Sequence, residues 1–216
     1  MHIRDTLLIA ASALAMATGA SAAPIVSLSN FGDPNTLPSG QVLVANFNDA
    51  GNPEATLLSG FALHFVGATV GVNEGGSGYS GTLPNDPTHY LTIPGGATAT
   101  LTSSKAINRF SLYMGSPDTY NSIRFIGAKG YDFTLTGGQF TGGNVGQSWN
   151  WGTRVNFDFG GYNVNQVILK STSNSFEVDN FAAGAVPEPA SWALMITGFG
   201  MTGALMRRRR TAYALA

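Results

Sequence analysis

Short runs of alternating apolar and polar residues recur through the middle of the chain, separated by Gly, Pro, Asn and Asp. A two-residue period is typical of a β-strand with one buried face, and no stretch here sustains the 3.6-residue period of a helix. About ten short strands at such turn-rich spacing favour an all-β domain, an antiparallel β-sandwich of jelly-roll type. The predicted strands are Gln41–Phe47, Leu57–Val66, His89–Ile93, Ala97–Leu101, Ile107–Met114, Ser122–Ile126, Asp132–Thr136, Val155–Phe159, Gln166–Ser171 and Ser175–Phe181.

The alternation also assigns side chains to the two faces of each predicted strand, because successive side chains point to opposite sides. Phe110, Leu112 and Met114 share one face of their strand, and we expect that face to enter the core. Arg109, Ser111 and Tyr113 share the other face, which we expect to lie outside the core.

The N-terminus has the order of features found in a secretory signal peptide. Arg4 precedes an uncharged, largely apolar stretch, and this stretch ends in the small-residue sequence Ala20-Ser21-Ala22. We therefore predict a signal peptide over residues 1–22. Signal peptidase would cleave it after Ala22 during export through the Sec translocon.

A second apolar segment lies near the C-terminus. Residues 190–206 carry no charge, and as a helix they would extend about 25 Å, the short end of a membrane span. The basic run Arg207, Arg208, Arg209 and Arg210 follows directly and is typical of a stop-transfer signal that stays cytoplasmic. The predicted parts are thus a signal peptide 1–22, an extracytoplasmic domain 23–183, a linker 184–189, a transmembrane helix 190–206 and a cytoplasmic tail 207–216.

Charge and cysteine content exclude several classes of function. The whole chain has a net charge of -1, but the region between Ala23 and Val186 has ten acidic and only six basic residues. That middle region offers no basic surface for nucleic acid. Without cysteine there is no disulfide, no thiolate metal site and no cysteine nucleophile.

Two tryptophans stand out among the candidate binding residues. In an extended segment Trp149 and Trp151 project to the same side, where their indoles could stack on sugar rings. The alternative, which we favour, is that one or both fill the core, because tryptophan is mostly buried.

The acidic residues and histidines give little sign of catalysis or metal binding. Glu177 and Asp179 alternate onto one face of the last predicted strand, where Asp49 or Asp158 could complete an oxygen-rich calcium shell. The interpretation that we favour is a solvated outer face, and His64 is expected to be a half-buried strand residue. No zinc spacing and no nucleophile elbow occurs, so we predict neither an enzyme nor a cofactor, calcium aside.

The segment before the C-terminal apolar run carries a family resemblance. Pro187-Glu188-Pro189, followed by Trp192 and Ala193, the apolar run and the arginines, resembles the PEP-CTERM sorting signal in its PEPxxWA variant. In that family an exosortase in the inner membrane is thought to recognise the triplet and process the tail. The carriers are typically Gram-negative bacteria that make exopolysaccharide and biofilm matrix. The residues after Arg210 make the tail slightly longer than is usual.

Two further segments carry a weaker resemblance. Phe110–Asn121 and Phe176–Phe181 look like parts of a recurrent domain of exosortase-dependent surface proteins, and the second also looks like the last strand of galactose-binding-like sandwiches. The resemblance implies a non-enzymatic exported protein, held transiently in the inner membrane and then located at the cell surface or in the exopolysaccharide matrix. A carbohydrate-binding module acting through Trp149 and Trp151 is the alternative, and a glycoside hydrolase is a remote one.

Overall fold

The computed structural model describes residues 21–49, 57–72, 83–140, 152–185 and 195–203. Every pairing between its named strands is antiparallel. The strands are β1 (Ile25–Leu28), β2 (Val42–Ala45), β3 (Phe61–Val66), β4 (Thr69–Val72), β5 (His89–Ile93), β6 (Thr98–Met114), β7 (Asn121–Gly127), β8 (Asp132–Thr136), β9 (Thr153–Asp158), β10 (Val164–Ser171) and β11 (Phe176–Ala185). A 3-10 turn (Ala128–Gly130) and a one-turn helix α1 (Gly137–Phe140) flank β8.

The long strand β6 belongs to two sheets. Its first half pairs with β3 and β10, and β7 and β8 continue from β10, so the first sheet has the order β3-β6-β10-β7-β8. Its second half pairs with β9 and β11, β1 adds to β9, and β2 and β5-β4 lie on the far side of β11. The strand passes from one sheet to the other at residues 103–106, and this end of the domain is called the bend end below.

The two sheets enclose one aromatic core. The ring of Phe125 in the first sheet lies 6.3 Å from that of Phe110 and 4.9 Å from that of Phe157, both in the second sheet. Phe140 of α1 lies 6.3 Å from Phe176 of β11. The prediction of an antiparallel all-β sandwich is therefore confirmed.

The predicted strands differ from the observed ones mainly at β6 and at the sheet edges. Two predicted strands, Ala97–Leu101 and Ile107–Met114, are halves of β6, while His89–Ile93 and Asp132–Thr136 agree at both ends. The sequence pattern missed β1 and β4, which are short edge strands of four residues each. Edge strands lack a clear buried face, and the side chains of β1 are mostly exposed.

One face of the second half of β6 differs from its prediction. Ser111 and Tyr113 are fully buried, although they were expected outside the core. The Ser111 hydroxyl donates to Gln41 Oε1 over 2.7 Å, and the Tyr113 hydroxyl donates to the carbonyl of Pro84 over 2.5 Å. Two loops remote in sequence, 29–41 and 83–88, thus cover this side of the second sheet.

A separate helix lies in the C-terminal region. Residues 195–203 are helical and lie within the predicted transmembrane segment 190–206. Over the ranges that the structure describes, no helix has both the length and the apolar content to cross a membrane. The predicted span therefore stays a prediction.

Candidate functional site

The outer side of the first sheet is a regular, accessible array of side chains, here called the open face. It consists of every second residue of five adjacent strands, and each of its members is at least partly exposed. The alternate residues point inward, as Leu101, Ile123 and Leu169 do, and are buried in the core. The fifteen members are Ala62, His64, Val66, Thr98, Thr100, Thr102, Ser122, Arg124, Ile126, Asp132, Thr134, Thr136, Gln166, Ile168 and Lys170.

The pairing register aligns these side chains in three straight rows across the strands. The middle row runs from His64 through Thr100, Ile168 and Arg124 to Thr134. Neighbouring strands lie about 4.8 Å apart, so a row of five side chains extends about 19 Å. His64 is exposed in this row rather than half-buried as expected, because β3 is an edge strand and turns the side chain away from the core.

The chemistry of the open face is mostly uncharged. Six hydroxyl groups, one amide, four aliphatic side chains, His64 and Lys170 surround a single ion pair. Arg124 Nε donates to Asp132 Oδ1 over 2.7 Å, and Arg124 Nη2 donates to Asp132 Oδ2 over 2.5 Å. This double hydrogen bond raises the pKa of Arg124 and lowers that of Asp132. The face can therefore donate and accept many hydrogen bonds while it presents aliphatic surface between them.

The opposite side of the domain contains a buried polar cluster centred on Arg154 of β9. Arg154 Nη1 donates to the carbonyl of Asn180 over 2.7 Å and to Ser111 Oγ over 3.2 Å, and Nη2 donates to the carbonyl of Pro34 over 2.6 Å. Within the described ranges Arg154 Nε has no hydrogen-bond partner. Burial lowers the pKa of Arg154 to about 10, and the charge of Asp179 opposes this shift. The guanidinium thus fastens loop 29–41 to the second sheet.

Asp179 and Asp86 form a buried carboxyl pair in the same cluster. Thr88 Oγ1 lies 2.5 Å from Asp86 Oδ1 and 3.3 Å from Asp179 Oδ2, and the backbone amide of Asn180 donates to Asp179 Oδ1 over 2.6 Å. Burial, with the charge of Asp86 adding to it, raises the pKa of Asp179 to about 9. Asp179 therefore keeps its proton at neutral pH.

The interpretation of Glu177 and Asp179 as a solvated outer face is wrong. Their side chains are 2% and 0% exposed, because the chain around Ser116 and loop 83–88 cover this face of β11. The hydroxyl of Ser175 donates to Glu177 Oε1.

The described residues do not assemble the set of ligands that a calcium ion would need. Asp158 lies three strands from β5, in an ion pair of 2.9 Å with Arg109. In the described parts of the chain, no three His, Cys, Asp or Glu residues form a group that could hold a metal ion. Glu177 and Asp179 share a face of β11, and the carboxyl group beside Asp179 belongs to Asp86, which no pattern in the sequence singled out.

Most of the other predicted site residues lie outside the described ranges. Of the predicted cleavage residues Ala20 and Ala22, only Ala22 is described; it is exposed, and its backbone amide donates to Tyr162 Oη over 3.4 Å. The residues outside are Ala20, Trp149, Trp151, Pro187, Glu188, Pro189, Trp192, Ala193, Arg207, Arg208, Arg209 and Arg210.

Sequence reasoning did not identify the open face. Its signal in the sequence is modest: Thr98, Thr100 and Thr102 alternate with Ala99 and Leu101. Single strands of this kind occur in any half-exposed sheet. The distinctive property is the alignment of five such strands, which depends on pairing between segments far apart in sequence.

Comparison with known proteins gives partial structural similarities. No protein-family model matches the chain, and no curated protein matches it. A family 11 carbohydrate-binding module of a cellulosomal cellulase of Clostridium thermocellum is 12% identical, with 70% of this chain and 98% of that chain covered and a TM-score of 0.32. A family two carbohydrate esterase from Cellvibrio japonicus is 15% identical at a TM-score of 0.30, with 60% of this chain covered. The match spans 36% of the esterase, about a third of its length.

A third similar structure is the enzymatically active domain of tailspike protein 4 of bacteriophage CBA120. It is 16% identical, with 71% of this chain and 22% of that chain covered and a TM-score of 0.29. All three scores lie below 0.5 and describe a partial resemblance in the course of the backbone.

Proposed function

We propose that this chain is an exported, non-enzymatic surface or matrix protein whose sandwich domain holds an extended extracellular polysaccharide on the open face. The observation that carries the binding proposal is the alignment of fifteen accessible side chains in three rows across five strands. In finer terms, we propose a jelly-roll sandwich of the galactose-binding-like type.

The spacing of the rows suits a polysaccharide. The distance between neighbouring strands, about 4.8 Å, is close to the length of one hexose in an extended chain, so each row offers one side chain to each sugar. Hydroxyl and amide groups can bond the sugar hydroxyls, while Ile126 and Ile168 offer aliphatic surface to the sugar C–H groups. With a single ion pair and few other charges, the face fits a neutral or weakly charged glycan.

Polysaccharide binding by the open face can be tested with one substitution at its centre. Ile168→Glu replaces aliphatic surface by a carboxylate between Thr100 and Arg124, and we expect it to weaken binding at least about tenfold, because desolvation of the carboxylate and the lost contacts each cost on the order of 1 kcal/mol. The measurement is calorimetry of residues 23–185 with neutral and acidic polysaccharides, including those of the host.

The matched control for this substitution is Ser173→Glu, which adds the same charge at an exposed position off the face. Unchanged affinity in the Ile168→Glu variant would refute the open face as the binding site. Loss of affinity in a Trp149→Ala, Trp151→Ala variant alone would favour the two tryptophans as the sugar contacts instead.

The sorting part of the proposal rests on the C-terminal signal. An exosortase would recognise Pro187-Glu188-Pro189 after export through the Sec translocon, while residues 190–206 anchor the chain in the inner membrane. The helix over residues 195–203 supports the anchor, because its apolar side chains would be costly in water. Those that are more than half exposed are Met195, Ile196, Phe199 and Met201.

Replacement of the triplet tests the sorting function. We expect a Pro187→Ala, Glu188→Ala, Pro189→Ala variant to accumulate unprocessed in the inner membrane of a host that has the exosortase. Fractionation and immunoblotting measure this, with Ala190→Ser as the control. A variant that matures and leaves the membrane like the wild type would contradict the proposed signal.

A further inference from the structure

A cavity lies on the outer side of the second sheet, between the edge strand β1 and loop 29–41, and is here called the loop cavity. Residues 27–29 and 36–38 form its walls, and Arg154 and Asn156 line it from β9. Its volume is about 230 Å³, the space that roughly seven or eight water molecules occupy in the liquid. Pockets for drug-sized ligands are larger, so this cavity suits a ligand of about one sugar ring.

Arg154 brings to the loop cavity a hydrogen-bond donor that the domain does not use. The side chain is fully buried, and its two terminal nitrogens donate to Ser111 and to the carbonyls of Asn180 and Pro34. In the part of the chain that the structure describes, Nε–H has no acceptor. A buried donor is costly without a partner, and a guanidinium bonds most strongly to a carboxylate.

The guanidinium also has no bonded counter-ion among the described residues, because its hydrogen bonds go to two carbonyls and one hydroxyl. Asp33, the carboxylate of the covering loop, accepts a hydrogen bond from the backbone amide of Thr36 over 3.0 Å. Its charge acts on Arg154 only through space. A carboxylate from outside the chain could therefore bond this cation directly.

Ser27 is a second donor in the loop cavity. It is exposed and pairs with Asn156 across β1 and β9, so it lies on the same side of the sheet as Arg154. Ser27 Oγ accepts a hydrogen bond from Asn156 Nδ2 over 3.1 Å, and its own proton remains available to a ligand. The cavity thus combines one buried charged donor with one hydroxyl donor at its exposed side.

We propose that the loop cavity binds a small carboxylate of the size of one hexuronic acid unit, whose carboxylate accepts hydrogen bonds from Arg154 Nε and Ser27 Oγ. Ser29 and Thr36 line the cavity, and their hydroxyl oxygens can bond the ring hydroxyls. Leu37 offers apolar surface to the ring C–H groups. The cavity and the open face lie on opposite sides of the domain, so this site is separate from the proposed polysaccharide site and takes an acidic sugar.

Two sugars that differ at one group test the site. Sodium glucuronate and glucose are titrated by calorimetry into the full chain in a mild detergent. We expect glucuronate to bind at least about tenfold more tightly, because glucose has no carboxylate for the guanidinium. Equal affinities, or no binding of glucuronate, would overturn the proposal and assign the Nε proton to an ordered water.

The Arg154 Nε–H signal in the ¹⁵N NMR spectrum shows whether the carboxylate reaches this guanidinium. We expect the signal to move on saturation with glucuronate and to stay in place with glucose, because a charge-assisted hydrogen bond changes the environment of that proton. Binding of glucuronate with no change in this signal would place the ligand elsewhere and refute the cavity as its site.

A substitution at the exposed side of the cavity tests the site without removal of the buried arginine. Ser27→Asp sets a like charge beside the ligand, and we expect it to weaken glucuronate binding at least about tenfold. Ser173→Asp adds the same charge at an exposed position remote from the cavity and should leave the affinity unchanged. Unchanged affinity in the Ser27→Asp variant would refute the site.

The open-face variant Ile168→Glu keeps this proposal distinct from the proposed function. It should weaken polysaccharide binding and leave glucuronate binding unchanged, because Ile168 lies on the other sheet. Loss of glucuronate binding in Ile168→Glu together with unchanged binding in Ser27→Asp would overturn the cavity and place the carboxylate on the open face.

Discussion

Arg154 shows how a single charged side chain can organise the backbone around it. It is fully buried in β9, and its guanidinium bonds the carbonyls of Pro34, which belongs to a loop, and of Asn180, which belongs to β11 on the far side of β6. A buried cation of this kind needs hydrogen bonds to offset its lost hydration. Arg154 therefore stabilises the fold mainly by donating hydrogen bonds to carbonyl groups that would otherwise be buried without a donor.

Removal of this guanidinium is expected to destabilise the domain. Arg154→Met keeps most of the aliphatic bulk but leaves two buried carbonyls without donors, so we expect a loss of about 3 kcal/mol in the free energy of unfolding. Urea denaturation of residues 23–185 measures it.

Arg109→Met is the matched control for Arg154→Met. Arg109 forms a partly exposed ion pair with Asp158, which is expected to contribute less than about 1 kcal/mol. Equal losses in the two variants would show that the Arg154 cluster does not fasten the loop.

The pKa of Asp179 gives the domain a pH dependence of defined sign. Its pKa rises from 3.8 to about 9 on folding, so between these values the native state holds a proton that the unfolded state has lost. This contribution to stability is complete below about pH 4 and is lost as the pH rises through about 9. We expect Asp179→Asn to reduce the fall in unfolding free energy between about pH 5 and about pH 8.

Urea titrations at the two pH values make this comparison, and Asp158→Asn provides a control that should leave the slope unchanged, because Asp158 is ionised in both the folded and the unfolded state over this range. The pKa of Asp158 is lowered by the backbone amide of Gly160 and then by Arg109, so its contribution is lost as the pH falls. The prediction for Asp179 fails if its variant has the same slope as the wild type.

At the scale of the elements, β6 marks the limit of what the sequence reveals. The alternation of Phe110, Leu112 and Met114 correctly predicted the core face of its second half. The alternation could not predict burial of Ser111 and Tyr113, because the cover comes from loops whose path no local period encodes. Asp179 is a second example: the alternation predicts that it is exposed, but loop 83–88 covers it in the structure.

The local pattern also could not predict that β6 is one continuous strand. Residues 103–106 contain Ser, Lys and Ala, which interrupt the apolar alternation and made one long strand read as two. In the structure this interruption is where β6 crosses between the sheets, so the polar residues stand at the bend end rather than in a turn.

At the scale of the whole molecule, the two outer sides of the sandwich are unlike each other. Loops 29–41 and 83–88 cover the second sheet, whereas the side chains of the first sheet are accessible along all five strands. The sequence predicted two sheets but gave no indication of which one is covered. The side chains that we propose as the polysaccharide contacts lie on the uncovered sheet, and the buried carboxyls lie on the covered one.

The position of β11 has a consequence for the timing of folding. It is the last strand of the domain, yet it lies between β6 and the strands β2 and β5 in the second sheet. In a chain exported N-terminus first, residues 176–185 leave the channel after every strand that they join. The second sheet would then stay incomplete while the chain passes through the channel, so the domain could not finish folding before it has crossed. On the proposed export route, closure of the sheet and arrival of Pro187-Glu188-Pro189 outside would coincide, so the proposed sorting signal would be presented on a domain that has only just become able to fold.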